Sequence, residues 1–282
     1  MKIRERALRA ALALTFVSLT GGAALAGTAD PAAQTGVASP DKPWEPTVGQ
    51  EGKDVVWVPT PFVLVEKMLD LAKVTPKDFV MDLGSGDGRN IIAAAKRGAR
   101  GVGVEYNPNM VELSRREAQK AGVADKAQFV QGDMYEADIS QATVLALFLL
   151  PDNLNKLLPK FLALKPGSRI VANHFGMGGW TPDVQERAEK DCEPWCTTLL
   201  YIVPAKVAGA WRFGDGELML EQKFQELTGT LKSRAGQTPV SGRLKGEHIT
   251  LTIAGREYTG RVTGDIMTGD SGSAWRAARI AD

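Results

Sequence analysis

The stretch FVMDLGSGDGR, residues 79–89, decides the fold of this chain. Apolar residues lead into a turn in which Gly84, Gly86 and Gly88 alternate with polar residues, and an alanine-rich segment follows. Glycine tolerates the positive φ angles needed where a strand turns directly into a helix, and it lets a ligand approach the backbone closely. The stretch therefore predicts a strand, a glycine turn and a helix whose free N–H groups face a ligand.

The residues around these glycines narrow the type of ligand. A dinucleotide fingerprint places its third glycine three positions after the second, and Arg89 occupies that position here. A phosphate-binding loop carries Lys and Ser or Thr after its last glycine, which Arg89-Asn90 does not supply. Asp82 offers a carboxylate to an amino group and repels a pyrophosphate. The pattern favours a nucleoside that carries an amino acid, and a turn without a ligand is the alternative.

The segment Asp82-Leu83-Gly84-Ser85-Gly86-Asp87-Gly88 resembles motif I of the class I methyltransferases, which use S-adenosylmethionine (SAM). With VPTP upstream at residues 58–61, it is similar to the subgroup of protein lysine methyltransferases that act on the ATP synthase c subunit and the adenine nucleotide translocase. The resemblance covers residues 54–203. It implies a Rossmann-like α/β sheet with helices on both faces, SAM as cofactor, and a nitrogen nucleophile of a protein lysine or a small molecule as methyl acceptor.

Further cofactor contacts are expected where the next strands end. Glu105 ends a predicted strand over residues 101–105, and a carboxylate about twenty residues after the motif accepts ribose hydroxyls. The resemblance assigns Asp133 to the adenine amino group and Met134 to the adenine ring. Thr60 is either a cofactor contact or part of a prolyl helix start. The predicted cofactor-binding residues are Thr60, Asp82, Gly84, Ser85, Gly86, Glu105, Asp133 and Met134.

A substrate entrance is predicted beside this site. Residues 143–150, TVLALFLL, predict the central strand because they form the most apolar strand of the predicted sheet. The loop over residues 176–183 is expected to be flexible. The predicted entrance consists of Leu150, Pro151, His174, Phe175 and Trp180. An apolar entrance favours a neutral lysine because burial lowers the pKa of an amine. We nominate no catalytic acid or base and predict no metal site.

The N-terminal region predicts export. Residues 1–26 combine basic residues, an apolar run and the cleavage sequence Ala24-Leu25-Ala26, which is typical of a secretory signal peptide. An uncleaved membrane anchor is one alternative, and a cytoplasmic protein is another because SAM is made in the cytoplasm. Residues 27–52 contain four prolines and predict a flexible linker. The net charge of +1 gives no electrostatic indication of nucleic-acid binding.

The remaining chain predicts two domains, a SAM-binding domain over residues 53–204 and a small antiparallel β module over residues 205–282. In the second, SGRLKGEHI at residues 241–249 returns as TGRVTGDIM at residues 259–267, which indicates repeated strand-turn units. Trp275 is expected to close the core of this module. Cys192 and Cys196 are expected to be structural, either free or bridged.

Three functions are compatible with these patterns. The first is a SAM-dependent methyltransferase that acts on a protein lysine, with a small-molecule acceptor as its variant. The second is an exported nucleoside-binding protein without turnover, and the retention of Asp82, Glu105 and Asp133 argues against it. The third is a nicotinamide oxidoreductase, and Arg89 in place of the third glycine argues against it.

Overall fold

The computed structural model describes residues 43–271 and 274–280. The predicted signal peptide and residues 27–42 of the predicted linker lie outside this range. The described residues from Trp44 onward belong to one compact unit. None of the helices among them is long and apolar enough to cross a membrane.

The first part of the structure is a seven-stranded sheet with the order β3-β2-β1-β4-β5-β7-β6. Strands β1 to β5 pair in parallel, whereas β7 runs antiparallel to β5 and β6 runs antiparallel to β7. The strands are β1 (Phe79–Leu83), β2 (Arg100–Glu105), β3 (Ala127–Gln131), β4 (Val144–Leu147), β5 (Arg169–Asn173), β6 (Val184–Arg187) and β7 (Thr197–Ile202). The parallel strands all end at one edge of the sheet, so their carboxyl-terminal residues meet there.

Helices cover both faces of this sheet, as the resemblance implies. The helices are α1 (Phe62–Leu71), α2 (Arg89–Lys96), α3 (Pro108–Lys120) and α4 (Pro151–Phe161). The first three share one apolar core with one face of the sheet, and α4 shares a second core with the other face. The predicted fold class is confirmed.

The glycine turn between β1 and α2 has the predicted form. Gly84, Gly86 and Gly88 all have positive φ angles, and α2 begins at the next residue. A Cβ atom at Gly88 would lie 2.6 Å from the ring of Phe129 on β3, so the helix start packs too closely on the sheet for any side chain. Glycine is required at this position for both its backbone angle and its size.

The second part is a closed antiparallel barrel. The sequence repeats predicted its antiparallel strands but not its closure. Its strands are β8 (Gly209–Phe213), β9 (Gly216–Lys223), β10 (Glu226–Ser233), β11 (Gly236–Lys245), β12 (His248–Ile253), β13 (Arg256–Thr263), β14 (Ile266–Gly269) and β15 (Arg276–Arg279). Strand β15 pairs with β8, which closes the cylinder. The two repeats contribute the pairs β11–β12 and β13–β14.

Two tryptophans pack in the barrel core, and only the one at its periphery, Trp275, was predicted. Trp211 is fully buried and donates a hydrogen bond of 2.8 Å from its indole nitrogen to the carbonyl of Val207. Trp275 is half-buried instead and packs beside Phe213 and Tyr258. Closure of the barrel accounts for the difference, because β8 carries Trp211 into the interior when it pairs with β15.

Candidate functional site

The candidate site lies at the carboxyl edge of the sheet, where residues 50–58 fold across the glycine turn. Gly49 donates to the Trp57 carbonyl at 2.8 Å and Trp57 donates to the Gln50 carbonyl at 2.9 Å, which closes this segment on itself. A Cβ atom at Gly86 would lie 2.6 Å from the indole nitrogen of Trp57. The tryptophan therefore covers the glycine turn closely, and only glycine fits beneath it.

Glu105 and Asp133 face the first cavity under this segment. Glu105 accepts hydrogen bonds of 2.9 Å from the backbone N–H groups of Gly86 and Asn107, so its carboxylate is held at the end of β2. Asp133 accepts from Lys53 at 2.5 Å and from the Tyr135 backbone at 2.8 Å. The hydrogen bond from Lys53 lowers the pKa of Asp133 and in turn raises the pKa of Lys53. Both carboxylates can accept from the hydroxyl and amino groups of a nucleoside.

Asp82 faces the second cavity, on the other side of Gly84. It is 3% exposed and accepts one hydrogen bond of 3.0 Å from the Asn90 side chain. Burial raises the pKa of this carboxyl well above its usual range, the negative charges of Glu105 and Asp87 add to the effect, and Asn90 opposes it. A bound ammonium group would reverse that shift because it favours the charged carboxylate.

Two further polar atoms in this cavity have no partner in the protein. The hydroxyl of Ser85 and the side-chain oxygen of Asn90 are buried and make no hydrogen bond. Buried polar groups are almost always paired, so their position beside Asp82 fits a ligand with several donors. The amino-acid end of SAM has an ammonium group of this kind. The residues present at the two cavities therefore fit SAM.

Arg89 connects the upstream segment to the glycine turn, a role that sequence reasoning missed. Its guanidinium forms an ion pair with Asp87 and donates a hydrogen bond of 2.6 Å to the backbone carbonyl of Thr60. Thr60 is 4% exposed, and its hydroxyl lies 3.5 Å from the amide nitrogen of Asn173. Thr60 thus lines the second cavity and also begins the turn into α1.

A third, apolar cavity opens beside the other two. Strand β4 ends at Leu147 rather than at residue 150, because the following residues leave the sheet and line this cavity. Phe148 lines all three cavities. The apolar cavity is lined by Val55, Val56, Val58, Phe148, Leu149, Leu150, Phe175 and Trp195.

Two of the predicted entrance residues, Leu150 and Phe175, line this apolar cavity. His174 packs edge-on against Phe175, with ring centroids 5.0 Å apart, and its Nδ1 atom is buried without a partner. Pro151 is exposed and begins α4. These residues share the carboxyl edge of β4 and β5, but only the first two face the apolar cavity.

The prediction that Trp180 belongs to the entrance is wrong. Its ring is 2% exposed and stacks on Phe224 of the barrel at 5.6 Å, with Tyr201 of β7 at 5.1 Å. Gln225 beside Phe224 donates to the Thr181 carbonyl at 2.7 Å. The barrel therefore buries Trp180, and the residue does not line the entrance. The prediction assumed a flexible loop at residues 176–183 without contact to the barrel.

Sequence reasoning missed the contributions of Lys53, Trp57, Phe148 and Trp195. Trp57 lies in the apolar run VVWVP, and Trp195 lies between the two cysteines in CEPWC. A tryptophan within two residues of a proline was the available signal in both segments. The residues that each tryptophan contacts are distant in sequence, so this signal could not show which residues Trp57 and Trp195 would contact.

Comparison with known proteins identifies the family. A family model described as the ANTKMT methyltransferase domain matches residues 82–184. A protein-lysine N-methyltransferase from Saccharolobus islandicus is 42% identical over 153 residues, which cover 53% of this chain and 94% of that protein. The ATP synthase c-subunit lysine N-methyltransferase of Mus musculus is 41% identical over 105 residues, or 37% of this chain and 42% of the mouse protein.

One solved structure is similar to this chain in both sequence and fold. It is described as an RNA methyltransferase from Salinibacter ruber in complex with S-adenosyl-L-homocysteine. The match is 45% identical, covers 53% of this chain and 96% of that chain, and has a TM-score of 0.50. The family model ends before the barrel, whose first strand begins at Gly209.

Proposed function

Because this chain belongs to the family of SAM-dependent methyltransferases that contains these relatives, we propose that it transfers the methyl group to the side-chain amine of a protein lysine. The names of the archaeal and mouse relatives support this acceptor. The Salinibacter ruber structure is described as an RNA methyltransferase instead, so the chemistry of the site in this chain distinguishes between the two acceptors.

The observation that carries the proposal is the composition of the apolar cavity. Its lining has aliphatic side chains from residues 55–58 and 148–150 and the rings of Phe148, Phe175 and Trp195, and none of the residues described there is ionisable. A lysine amine is a nucleophile only when neutral, and desolvation in such surroundings lowers its pKa. Aromatic faces also attract an alkylammonium group through cation–π contact. An RNA substrate would instead require basic side chains along its path.

The contribution of the protein to catalysis is alignment. When bound, SAM supplies an electrophilic methyl group on a sulfonium. Asp82, Glu105 and Asp133 would hold its two ends, and Phe148 lines all three cavities. Holding two reactants in line lowers the activation free energy by about 7–11 kcal/mol. The lysine ammonium would release its proton to solvent before the attack, so no protein base would be needed in the apolar cavity.

A transfer assay tests the proposal. The purified full chain is incubated with methyl-tritiated SAM and, separately, an undermethylated protein extract or total RNA. We expect label in methyllysine after acid hydrolysis of the protein sample, and much less label with the Asp82→Asn variant. Label in RNA would overturn the lysine assignment. SAM binding without transfer to either sample would favour a nucleoside-binding protein without turnover.

We also propose that residues 1–26 direct export of the chain. The bond between Cys192 and Cys196 supports this, because disulfides persist in oxidising compartments and are rare in the cytosol. Fractionation of cells that express the full chain, with thiol alkylation during lysis, is the test. Recovery only from the cytosol, with both cysteines alkylated, would overturn the proposal.

A further inference from the structure

The loop between β6 and β7 carries a tryptophan of the apolar cavity and is closed by a disulfide. Cys192 and Cys196 are bonded to each other, and Trp195 lies between them in sequence. The Trp195 ring lies 5.4 Å from the ring of Phe175 and 4.8 Å from that of His174. Trp195 is thus the only tryptophan among the described residues that line this cavity.

The reversed direction of β7 brings this loop to the site. Asn173 at the end of β5 pairs with Thr198 near the start of β7. The His174 backbone donates to the Thr197 carbonyl at 2.7 Å, and Ala188 donates to the Cys196 carbonyl at 2.8 Å. A parallel strand at this place would start at the opposite edge, far from the ends of β4 and β5.

The disulfide restrains a loop whose backbone is unfavourable on its own. Asp191 and Trp195 have φ angles of 56° and 65°, in the left-handed region that side chains with a Cβ atom disfavour. A cross-link removes alternative conformations from such a segment. Cys196 is buried, whereas Cys192 is only partly buried and the adjoining Glu193 and Pro194 are exposed, so a small dithiol can reach the bond.

The cofactor cavities do not depend on this loop. Asp82 and Glu105 lie at the carboxyl ends of β1 and β2, Asp133 follows β3, and Trp195 lines neither of the two cavities that they face. A change in the loop should therefore affect the apolar cavity alone. The indole ring has the strongest cation–π attraction of the aromatic side chains, so its loss should be felt by a cationic acceptor.

We propose that Trp195 is an acceptor-binding residue, and that the Cys192–Cys196 disulfide holds its ring in the apolar cavity. Binding of the acceptor lysine then requires the oxidised cysteine pair, whereas binding of SAM does not. The inference rests on the proposed function, because it takes the acceptor to be an alkylammonium group. Reduction by a dithiol breaks the S–S bond. The dithiol supplies two electrons and two protons, which give two cysteine thiols, and the dithiol itself becomes a cyclic disulfide.

Nuclear magnetic resonance of the indole N–H groups tests this inference on the full chain. The probe is Nα-acetyl-lysine N-methylamide, added with S-adenosylhomocysteine present, and Trp195→Phe assigns the resonance. We expect the Trp195 resonance to shift with the probe, and the apparent affinity to fall at least tenfold with dithiothreitol. The double variant Cys192→Ser, Cys196→Ser should behave like the reduced protein without any reductant.

Two controls separate a local effect from loss of the fold. The indole resonance of Trp275 in the barrel should not respond to the probe. The affinity for S-adenosylhomocysteine should change less than twofold on reduction, which also shows that the protein remains folded. Among variants, Trp195→Phe keeps an aromatic face and Trp195→Leu does not, so the second should lose more of the probe affinity than the first, measured by backbone amide shifts.

The outcomes distinguish this inference from the proposed function. Equal affinity in the oxidised and reduced protein would overturn the role of the disulfide, and no response of Trp195 in the oxidised protein would overturn its contact with the acceptor. The transfer assay, repeated with dithiothreitol, distinguishes failure of this inference from failure of the proposed function. Label that enters lysine equally under both conditions contradicts only this inference, whereas label in RNA contradicts the proposed function itself.

Discussion

The carboxyl edge of the sheet and the interior of the barrel differ in whether their buried polar atoms have hydrogen-bond partners. At the sheet edge, the side chains of Ser85, Asn90, Asn173, His174 and Thr198 each contain a buried polar atom without a partner. In the described part of the barrel, residues 209–271 and 274–280, no such atom occurs. The buried indole of Trp211 in the barrel is paired with a backbone carbonyl.

This difference separates a binding region from a packing region. Leaving a buried polar group unpaired costs about 1–3 kcal/mol, so a cluster of such groups at one edge indicates where a ligand supplies the partners. The barrel shows no comparable cost and buries a continuous apolar core. Its observed contribution to the other part is support, because Phe224 and Gln225 contact the loop that follows β5. The two regions should therefore respond differently to substitution.

Substitution of a close-packed glycine should break the barrel without affecting the site. In Gly260→Val, the added Cβ atom would meet the Thr268 carbonyl oxygen at 2.2 Å and the Trp275 ring at 2.6 Å. Backbone atoms of a paired strand cannot yield, so we expect a loss of about 3 kcal/mol in the free energy of unfolding. Urea unfolding measures it, and SAM affinity of the folded protein should stay unchanged.

A second glycine in the same hairpin provides the matched control. Gly264 has a φ angle of 57°, and no atom lies within 4 Å of the place that a Cβ atom would take, so Gly264→Asn keeps the left-handed backbone without a collision. Its unfolding free energy should stay within about 0.5 kcal/mol of the native value. A Gly260→Val protein as stable as this control would show that the barrel tolerates an opened strand pair.

Replacement of the buried carboxylate at the sheet edge should have the opposite effect. We expect Asp82→Asn to weaken SAM binding about 100-fold, because it removes the charged partner of the ammonium group. Calorimetric titration measures the affinity. A change of less than threefold would show that Asp82 does not contact the cofactor.

The same substitution should stabilise the protein in the absence of SAM. Burial raises the pKa of Asp82 in the folded state, so the native protein has its full stability below the unfolded-state pKa of about 3.9 and loses part of it as pH rises through the folded-state pKa. Asp82→Asn removes that loss. Its advantage in unfolding free energy should therefore grow with pH, and a constant difference across the pH range would contradict this origin.

Asp78, a buried carboxylate directly before β1, has a pKa shift in the opposite direction. Burial alone would raise its pKa, but hydrogen bonds from Thr75 and Thr143 and the charge of Arg169 lower it below its usual range. Asp78→Asn should lose about 2 kcal/mol of unfolding free energy at pH 7, since a charged hydrogen-bond partner is removed. The contribution is complete above the unfolded-state pKa of about 3.9 and is lost as pH falls through the folded-state value. Urea unfolding at pH 7 and pH 3 should show the difference shrinking, and a difference that persists at pH 3 would contradict it.

The smallest effect is expected at the exposed ion pair over the cofactor cavity. Lys53 pairs with Asp133 and lies 4.9 Å from the Tyr106 ring. Exposed ion pairs contribute little, so Lys53→Ala should change SAM affinity less than about fivefold. Titration calorimetry at two salt concentrations measures it. A loss of tenfold or more would show that Lys53 contacts the cofactor directly.

The local features of the site were predictable from sequence. The glycine turn, the carboxylates Asp82 and Glu105, and Asp133 after β3 are each set by a strand and the residues that follow it. A parallel sheet brings the ends of its strands to one edge, so local order alone predicts that these side chains meet. The repeated sequence at residues 241–249 and 259–267 likewise predicted antiparallel strands in the barrel.

Contacts between distant residues were decided only by the tertiary structure. Trp57 covers Gly86, and Lys53 reaches Asp133 across 80 residues of sequence. Closure of the barrel buries Trp211, and contact with Phe224 of the barrel buries Trp180. Sequence periodicity reports which face of a strand or helix is apolar, but not which distant surface will cover it. The cofactor motif thus consists of consecutive residues and can be identified from sequence. The lining of the apolar cavity comes from separate segments, so it depends on how those segments pack.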